Sequence, residues 1–248
     1  MNVEFAAVVL APGLAVGSFL NVVAARVPLR RSIVSPGSAC PTCETNLGWY
    51  DNIPLVSYAL LRGRCRHCGV SISWRYPAVE AATAVLVVGC ALKFGVTWDF
   101  LVAAALCAVL VAVSATDLER RIIPNRVVLP ATVVLLVAQT ILHPSVEWIA
   151  AGLAAAAFFL GAALAYPGGM GMGDVKLALL LGVVLGRTVS VALLVGMLTA
   201  LVPAFVLIAR HGKAGRKMTI PFGPFLALGG VLALFAGKPI LDWYLGAL

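Results

Sequence analysis

Apolar residues dominate this chain in long uninterrupted runs, with polar residues gathered into the short intervals between them. Eight apolar segments can be marked, at approximately 3–26, 78–96, 98–116, 127–143, 147–166, 172–187, 189–209 and 222–246. Runs of this length approach the ~20 residues that an α-helix needs to cross a hydrocarbon layer of roughly 30 Å. The sixth is the shortest, because only ten residues separate Lys176 from Arg187. Tilt, or snorkelling of Lys176, would let it cross, and a re-entrant helix is the competing reading. The expected fold is an all-α polytopic membrane protein of about eight transmembrane helices.

Composition agrees with that pattern. Of 248 residues, 62% are hydrophobic and 11% charged, and the mean hydropathy is +1.03. A soluble domain of this size would need a far more charged surface. The first apolar segment resembles a secretory signal but lacks a basic stretch ahead of it, since Glu4 is the only early charge. It is therefore read as a retained span.

Charge then sets an orientation. Fifteen of the 18 basic residues fall in or beside the connections after segments one, three, five and seven, leaving Lys93, Arg187 and Lys238 for the other side. The positive-inside rule makes those four connections cytoplasmic and puts both termini outside. The net charge of +8 is read as membrane-surface charge, with lipid rather than nucleic acid as the partner.

The connection after the first span, residues 28–77, reads Cys40-Pro-Thr-Cys43 and then Cys65-Arg-His-Cys68. Two cysteine pairs at this spacing can surround one tetrahedral ion, so the expectation is a small cytoplasmic zinc-ribbon-like loop with a four-thiolate Zn²⁺ site. Disulfides fit a reducing compartment poorly, and a dithiol redox role explains one pair better than two. Four thiolates leave no open position for water, so such an ion is structural. His67 has no expected chemical role. Cys90 and Cys107 lie inside apolar segments and read as packing residues.

Carboxylates in or beside membrane spans are costly and point to function. Asp117 closes the third segment, and Asp174 opens the sixth after a run in which four of the residues Gly168 to Gly173 are glycine. The orientation puts both at the cytoplasmic edge. Two carboxylates at one depth can share a proton and a water, one serving as base while the other polarises a carbonyl. Gly171, Gly173 and Lys176 are the candidate substrate-binding loop, since a glycine backbone lets a peptide approach closely. A transporter with both acids as ion sites would place them nearer the midplane, in matching repeats. A scaffold that recruits partners through the cysteine loop is the other competing reading.

These residues resemble a known family, the type IV prepilin peptidases, which are leader peptidases and N-methyltransferases. The resemblance includes Gly17-Ser-Phe-Leu-Asn21, the loop from Cys40 through Trp49-Tyr-Asp-Asn-Ile-Pro54, and Arg64-Cys-Arg-His-Cys-Gly69. It continues through Ile72-Ser-Trp-Arg-Tyr-Pro77, Val79-Glu80, Asp117, Gly171-Met-Gly-Asp-Val-Lys176 and Ile220-Pro-Phe-Gly-Pro-Phe225. It implies an aspartic endopeptidase of the bacterial inner membrane with Asp117 and Asp174 catalytic. Its substrates would be type IV prepilins or pseudopilins, cleaved on the cytoplasmic side and then N-methylated with S-adenosylmethionine. It also links the cysteine loop with methylation, giving a first span at 1–27, the loop at 28–77 and a peptidase domain at 78–248. One departure stands beside Asp117, where the family often has Asp-x-Asp-His and this chain has Asp117-Leu-Glu119-Arg120. No glycine-rich nucleotide fingerprint places the methyl donor. Asn21, Asp51 and Glu80 are candidates for that role, weighed against structural ones. The oligomeric state is left open.

Overall fold

The computed structural model describes residues 2–166, 169–212 and 220–246. Gly168 of the glycine run and Lys213, Arg216 and Lys217 of the basic connections lie outside the described residues. Among those described, the chain is all-helical, with two isolated antiparallel bridges and no strand. The long helices are α1 (Asn2–Arg26), α3 (Arg75–Phe94), α4 (Trp98–Arg120), α5 (Asn125–Leu142), α6 (Glu147–Ala165), α7 (Met172–Leu185), α8 (Val189–His211) and α9 (Gly223–Gly246). A short α2 (Val56–Leu60) lies in the cysteine loop. Each long helix falls on one of the eight apolar segments.

Seven stretches are long and apolar enough to cross a membrane, with Met172–His211 running through α7 and α8 as one. The reason is α7 itself. Its 14 residues extend roughly 21 Å at 1.5 Å per residue, short of the hydrocarbon thickness. Ten of those residues, from Asp174 to Leu185, are buried. An all-round apolar helix of this kind is covered by protein.

The chain packs as two compact units, Met1–Ala115 and Thr116–Leu248, divided near the end of α4. In the first, α1 crosses α3 at small residues. A Cβ on Gly17 would stand 2.7 Å from the Glu80 Cα, and one on Gly13 would stand 3.2 Å from the Ala84 Cα. Close backbone approach at small residues spaced four apart is how helices gain packing contact where lipid supplies no hydrophobic drive. Leu20, Ala24 and Val79 continue this seam against Ala112 and Ala115 of α4. Cys90 and Cys107 are buried with their sulfurs 3.8 Å apart, which is a packing contact between α3 and α4.

In the second unit α7 is the central helix, with α6 packed along it. A Cβ on Gly182 would reach 2.5 Å from the Ala151 carbonyl oxygen, so the two backbones nearly touch. Polar ties fix the register. Gln139 of α5 donates to the Val184 carbonyl at 2.8 Å, and Glu147 of α6 accepts the Arg187 N–H at 2.9 Å. The α8–α9 crossing is made at Gly196 and Gly229.

Candidate functional sites

Asp117 is placed by the way α4 stops. Arg121 takes a left-handed conformation (φ +55°), and its N–H closes the last turn on the Asp117 carbonyl at 2.8 Å. The chain then runs through Ile123 and Pro124 before α5 begins. Ile123 lies against Gly173, where a Cβ would come within 2.8 Å of the Ile123 Cβ. The segment that follows Asp117 is thus packed on the segment that precedes Asp174.

Asp174 occupies the first turn of α7. Its N–H donates to the Gly171 carbonyl at 3.0 Å, and its Oδ2 accepts the Gly171 N–H at 3.2 Å. This reciprocal arrangement is a capping box in which glycine takes the cap position. A Cβ at Gly171 would sit 3.3 Å from Asp174 Oδ2, so the glycine keeps the face of the carboxylate clear.

Asp117 has an equivalent partner that sequence reasoning did not assign. The N–H of Gly223 donates to Asp117 Oδ2 at 2.8 Å. Gly223 opens α9, so its N–H has no partner within the helix, and Pro224 behind it has none to offer. Phe222, whose carbonyl accepts from Leu226, stacks against the fully buried Phe159 with ring centroids 5.8 Å apart. That contact fixes where α9 begins. A Cβ on Gly223 would stand 2.9 Å from Asp117 Oδ2. The block Ile220-Pro-Phe-Gly-Pro-Phe225 carried the signal, but only a tertiary contact gives its glycine a task.

The two carboxylates are 5% and 8% exposed. Each is held through Oδ2 by a backbone N–H at a helix start, where the helix dipole favours negative charge. Lys176 is turned to α5, with its Nζ donating to Asn125 Oδ1 at 2.9 Å.

The four cysteines of the loop form a second cluster, in the first unit. Two tight turns carry them, each closed by an antiparallel bridge, Ala39 to Asn46 and Arg64 to Ser71. The bonds correspond pair by pair. Cys40 and Cys65 donate to Thr45 and Val70 at 3.0 and 2.8 Å, while Glu44 and Gly69 donate back to Cys40 and Cys65 at 2.9 and 3.0 Å. Glu44 and Gly69 are both left-handed, at φ +53° and +70°. All four sulfurs lie within 4.8 Å of one another, and Cys40 and Cys68 are 3.8 Å apart. A tetrahedral ion with Zn–S bonds of about 2.3 Å needs sulfurs about 3.8 Å apart, so the cluster fits a four-thiolate metal.

The thiols themselves favour a cation. Thr45, first by its hydroxyl and then by its backbone N–H, lowers Cys43 to about 6. Backbone donors at Cys68 and His67 lower Cys65. The N–H of Val70 pulls Cys68 the same way, but burial and the adjoining thiols push it up to about 11.

Asn21, Asp51 and Glu80, distant in sequence, line one cavity in the first unit beside the cysteine turns.

Comparison with known proteins matches both parts of the chain. Residues 11–94 match the family described as Bacterial Peptidase A24 N-terminal domain. Residues 104–209 match the Type IV leader peptidase family. The chain is 34% identical to a prepilin leader peptidase/N-methyltransferase of Bacillus subtilis, covering 94% of this chain and 95% of that protein. It is 35% identical to a protein of the same name from Burkholderia pseudomallei over 96% of this chain and 87% of the relative. A Myxococcus xanthus protein of that name is 50% identical over 51% of this chain and 38% of its own length. No solved structure matches.

Proposed function

The chain belongs to the type IV leader peptidase family, and from that premise we propose that it cleaves the leader of type IV prepilins or pseudopilins with Asp117 and Asp174. The observation that carries this reading is the matched pair of buried carboxylates, each fixed by a backbone N–H at a helix start. Close carboxylates share one proton, because both cannot ionise easily side by side. The unprotonated member takes a proton from water as the water attacks the scissile carbonyl. The protonated member donates a hydrogen bond to the carbonyl oxygen and then supplies the proton that leaves with the new amine. Gly223 and Gly171 hold the two carboxylates in this geometry, and Gly171 and Gly173 leave room for the peptide backbone. Lys176 braces the start of α7 against α5 and presents positive charge beside the peptide path.

The second activity is N-methylation of the new N-terminus, assigned to the loop at 28–77. Cys40, Cys43, Cys65 and Cys68 would hold one Zn²⁺ that staples the loop and takes no part in hydrolysis. S-adenosylmethionine supplies the methyl group when bound. The protein is a multi-pass protein of the bacterial inner membrane. The charge of its basic connections supports a topology with both termini outside and the aspartates at the cytoplasmic face.

The test is Asp117→Asn and Asp174→Asn, assayed in membranes on a prepilin from the same genome. Each is expected to abolish cleavage while the protein still accumulates and melts as the parent does. Cleavage at the parental rate by a folded variant refutes the assignment.

A further inference from the structure

The stretch from Trp49 to Leu60 has two unlike faces. It begins with the 3₁₀ turn Trp49–Asn52 and continues into α2, and the Ser57 hydroxyl ties the two together by donating to the Tyr50 carbonyl. One face turns inward, where Asp51, Leu55, Ser57 and Tyr58 line a cavity of about 780 Å³ in the first unit. The other face turns outward and is apolar. Trp49 is 80% exposed, Leu60 is 77% exposed, and Val56, one turn before Leu60, is 50% exposed. These three lie off the cavity wall. Exposed apolar groups gathered on one face mark a surface that something else covers.

Contacts with the spanning helices fix the depth of this stretch. Leu55 donates its N–H to Glu80 Oε2 at 2.9 Å, about a turn and a half along α3 from its start at Arg75. The cavity beneath reaches Phe19 and Ala15 of α1, about two and three turns back from Arg26. The loop thus folds back beside α1 and α3, over the first turns of their membrane-spanning lengths. An apolar face at this depth meets the headgroups and upper acyl chains, the layer in which tryptophan concentrates. Trp74, at the start of α3, is 75% exposed at the same end of the helix. The surrounding charge is basic. Arg62, Arg64 and Arg66 are all exposed, and Arg66 is fastened to the stretch by Asp51 at 2.8 Å and by the Tyr50 ring at 5.3 Å. Tryptophan and leucine on one face, with arginines beside them, is the pattern of a segment lying in a bilayer interface, and the arginines favour anionic headgroups.

We propose that the outer face of Trp49–Leu60 docks into the cytoplasmic leaflet on anionic phospholipid. Trp49, Val56 and Leu60 enter the upper acyl chains, and Arg62 and Arg64 meet headgroup phosphates. Lipid then covers the outer side of a wall whose inner side encloses the cavity, so the leaflet becomes part of the frame of the first unit. The inference takes the leaflet from the orientation proposed above and depends on neither catalytic activity.

The test places the full chain in nanodiscs of phosphatidylcholine and phosphatidylglycerol with brominated acyl chains, which quench tryptophan on contact. Both leaflets carry the same lipid, so the result does not depend on orientation. Subtracting the emission of Trp49→Phe from that of the parent isolates Trp49 among the five tryptophans. Most of the Trp49 emission is expected to be lost to brominated lipid and little to acrylamide in the water. The double variant Arg62→Gln, Arg64→Gln and, separately, Leu60→Ser are expected to reverse that preference, with zinc content and melting temperature as in the parent. Phosphatidylcholine alone, or salt at about 1 M, where the screening length falls to about 3 Å, is expected to act in the same direction as the arginine pair. Quenching of the parent by acrylamide and not by brominated lipid overturns the inference, because the face then stands in water. Protection from both quenchers overturns it as well and assigns the face to protein, with a second copy recognised by particle mass. Quenching by brominated lipid that neither the arginine pair nor the loss of phosphatidylglycerol alters overturns the choice of an anionic partner.

Discussion

The two units of this chain set different polar groups into apolar surroundings. In the second unit each buried carboxylate has found a donor within the protein, Gly223 for Asp117 and Gly171 for Asp174. The bonds fix one oxygen of each acid. In the first unit the cysteine turns gather four sulfurs within 4.8 Å of one another, and the Glu80 carboxylate accepts the Leu55 N–H. Unpaired buried side-chain atoms occur in both units, Asn21 Oδ1 and Asp51 Oδ2 in the first and Arg120 Nε and Gln139 Oε1 in the second. On the function proposed above, the second unit carries hydrolysis and the first carries methyl transfer.

The largest effect that separates the units is expected from Asp174→Asn. Loss of general acid–base chemistry should lower leader cleavage by about 10³-fold or more, with zinc stoichiometry unchanged by elemental analysis. Parental zinc with no cleavage confirms independence, and simultaneous loss of zinc breaks it. Cys40→Ser is the reciprocal change. It should release the metal and reduce N-methylation, read by mass spectrometry, much further than cleavage.

Gly223→Ala sharpens the reading of the second unit. The added methyl would lie 2.9 Å from Asp117 Oδ2 and disturb a charge-assisted bond worth about 1.5–3 kcal/mol. Cleavage should fall by about 10- to 100-fold, with methylation of a pre-cleaved substrate unaffected. Gly17→Leu does the same for the first unit by forcing α1 from α3 beside Glu80. Overpacking of about 1–3 kcal/mol should appear as a lower melting temperature and weaker methylation. The smallest effect is expected from Glu44→Gly. It relieves a left-handed non-glycine residue, by about 1 kcal/mol, and should slow the loss of zinc to a chelator.

Much of this arrangement was legible in the chain. The apolar segments gave all eight long helices to within a few residues, because crossing a bilayer demands length and apolar composition that no other need imposes so strongly. The cysteine spacing gave the metal-sized cluster, because a two-residue interval is what lets a turn aim both thiols at one point. The shortness of the sixth segment was visible too, but its cause was not. α7 is apolar on every side because protein surrounds it, and hydropathy cannot tell a helix covered by protein from one covered by lipid. Gly223 was likewise visible only as part of a motif. Its partner lies 106 positions away, and nothing local marks a backbone N–H as the one that meets a particular carboxylate.

The sequence by itself therefore determined the membrane character, the helices and the four-sulfur cluster, and marked the two acids as candidates. Each depends on properties that residues carry alone or with near neighbours, namely hydropathy, charge and short spacing. Tertiary structure decided which backbone donors hold the acids and that α7 is a core helix. It also gathered Asn21, Asp51 and Glu80 on the wall of one cavity. These are relations between distant segments, fixed by packing at α1–α3 and by the meeting of Phe222 with Phe159, and they exist only once the chain has folded.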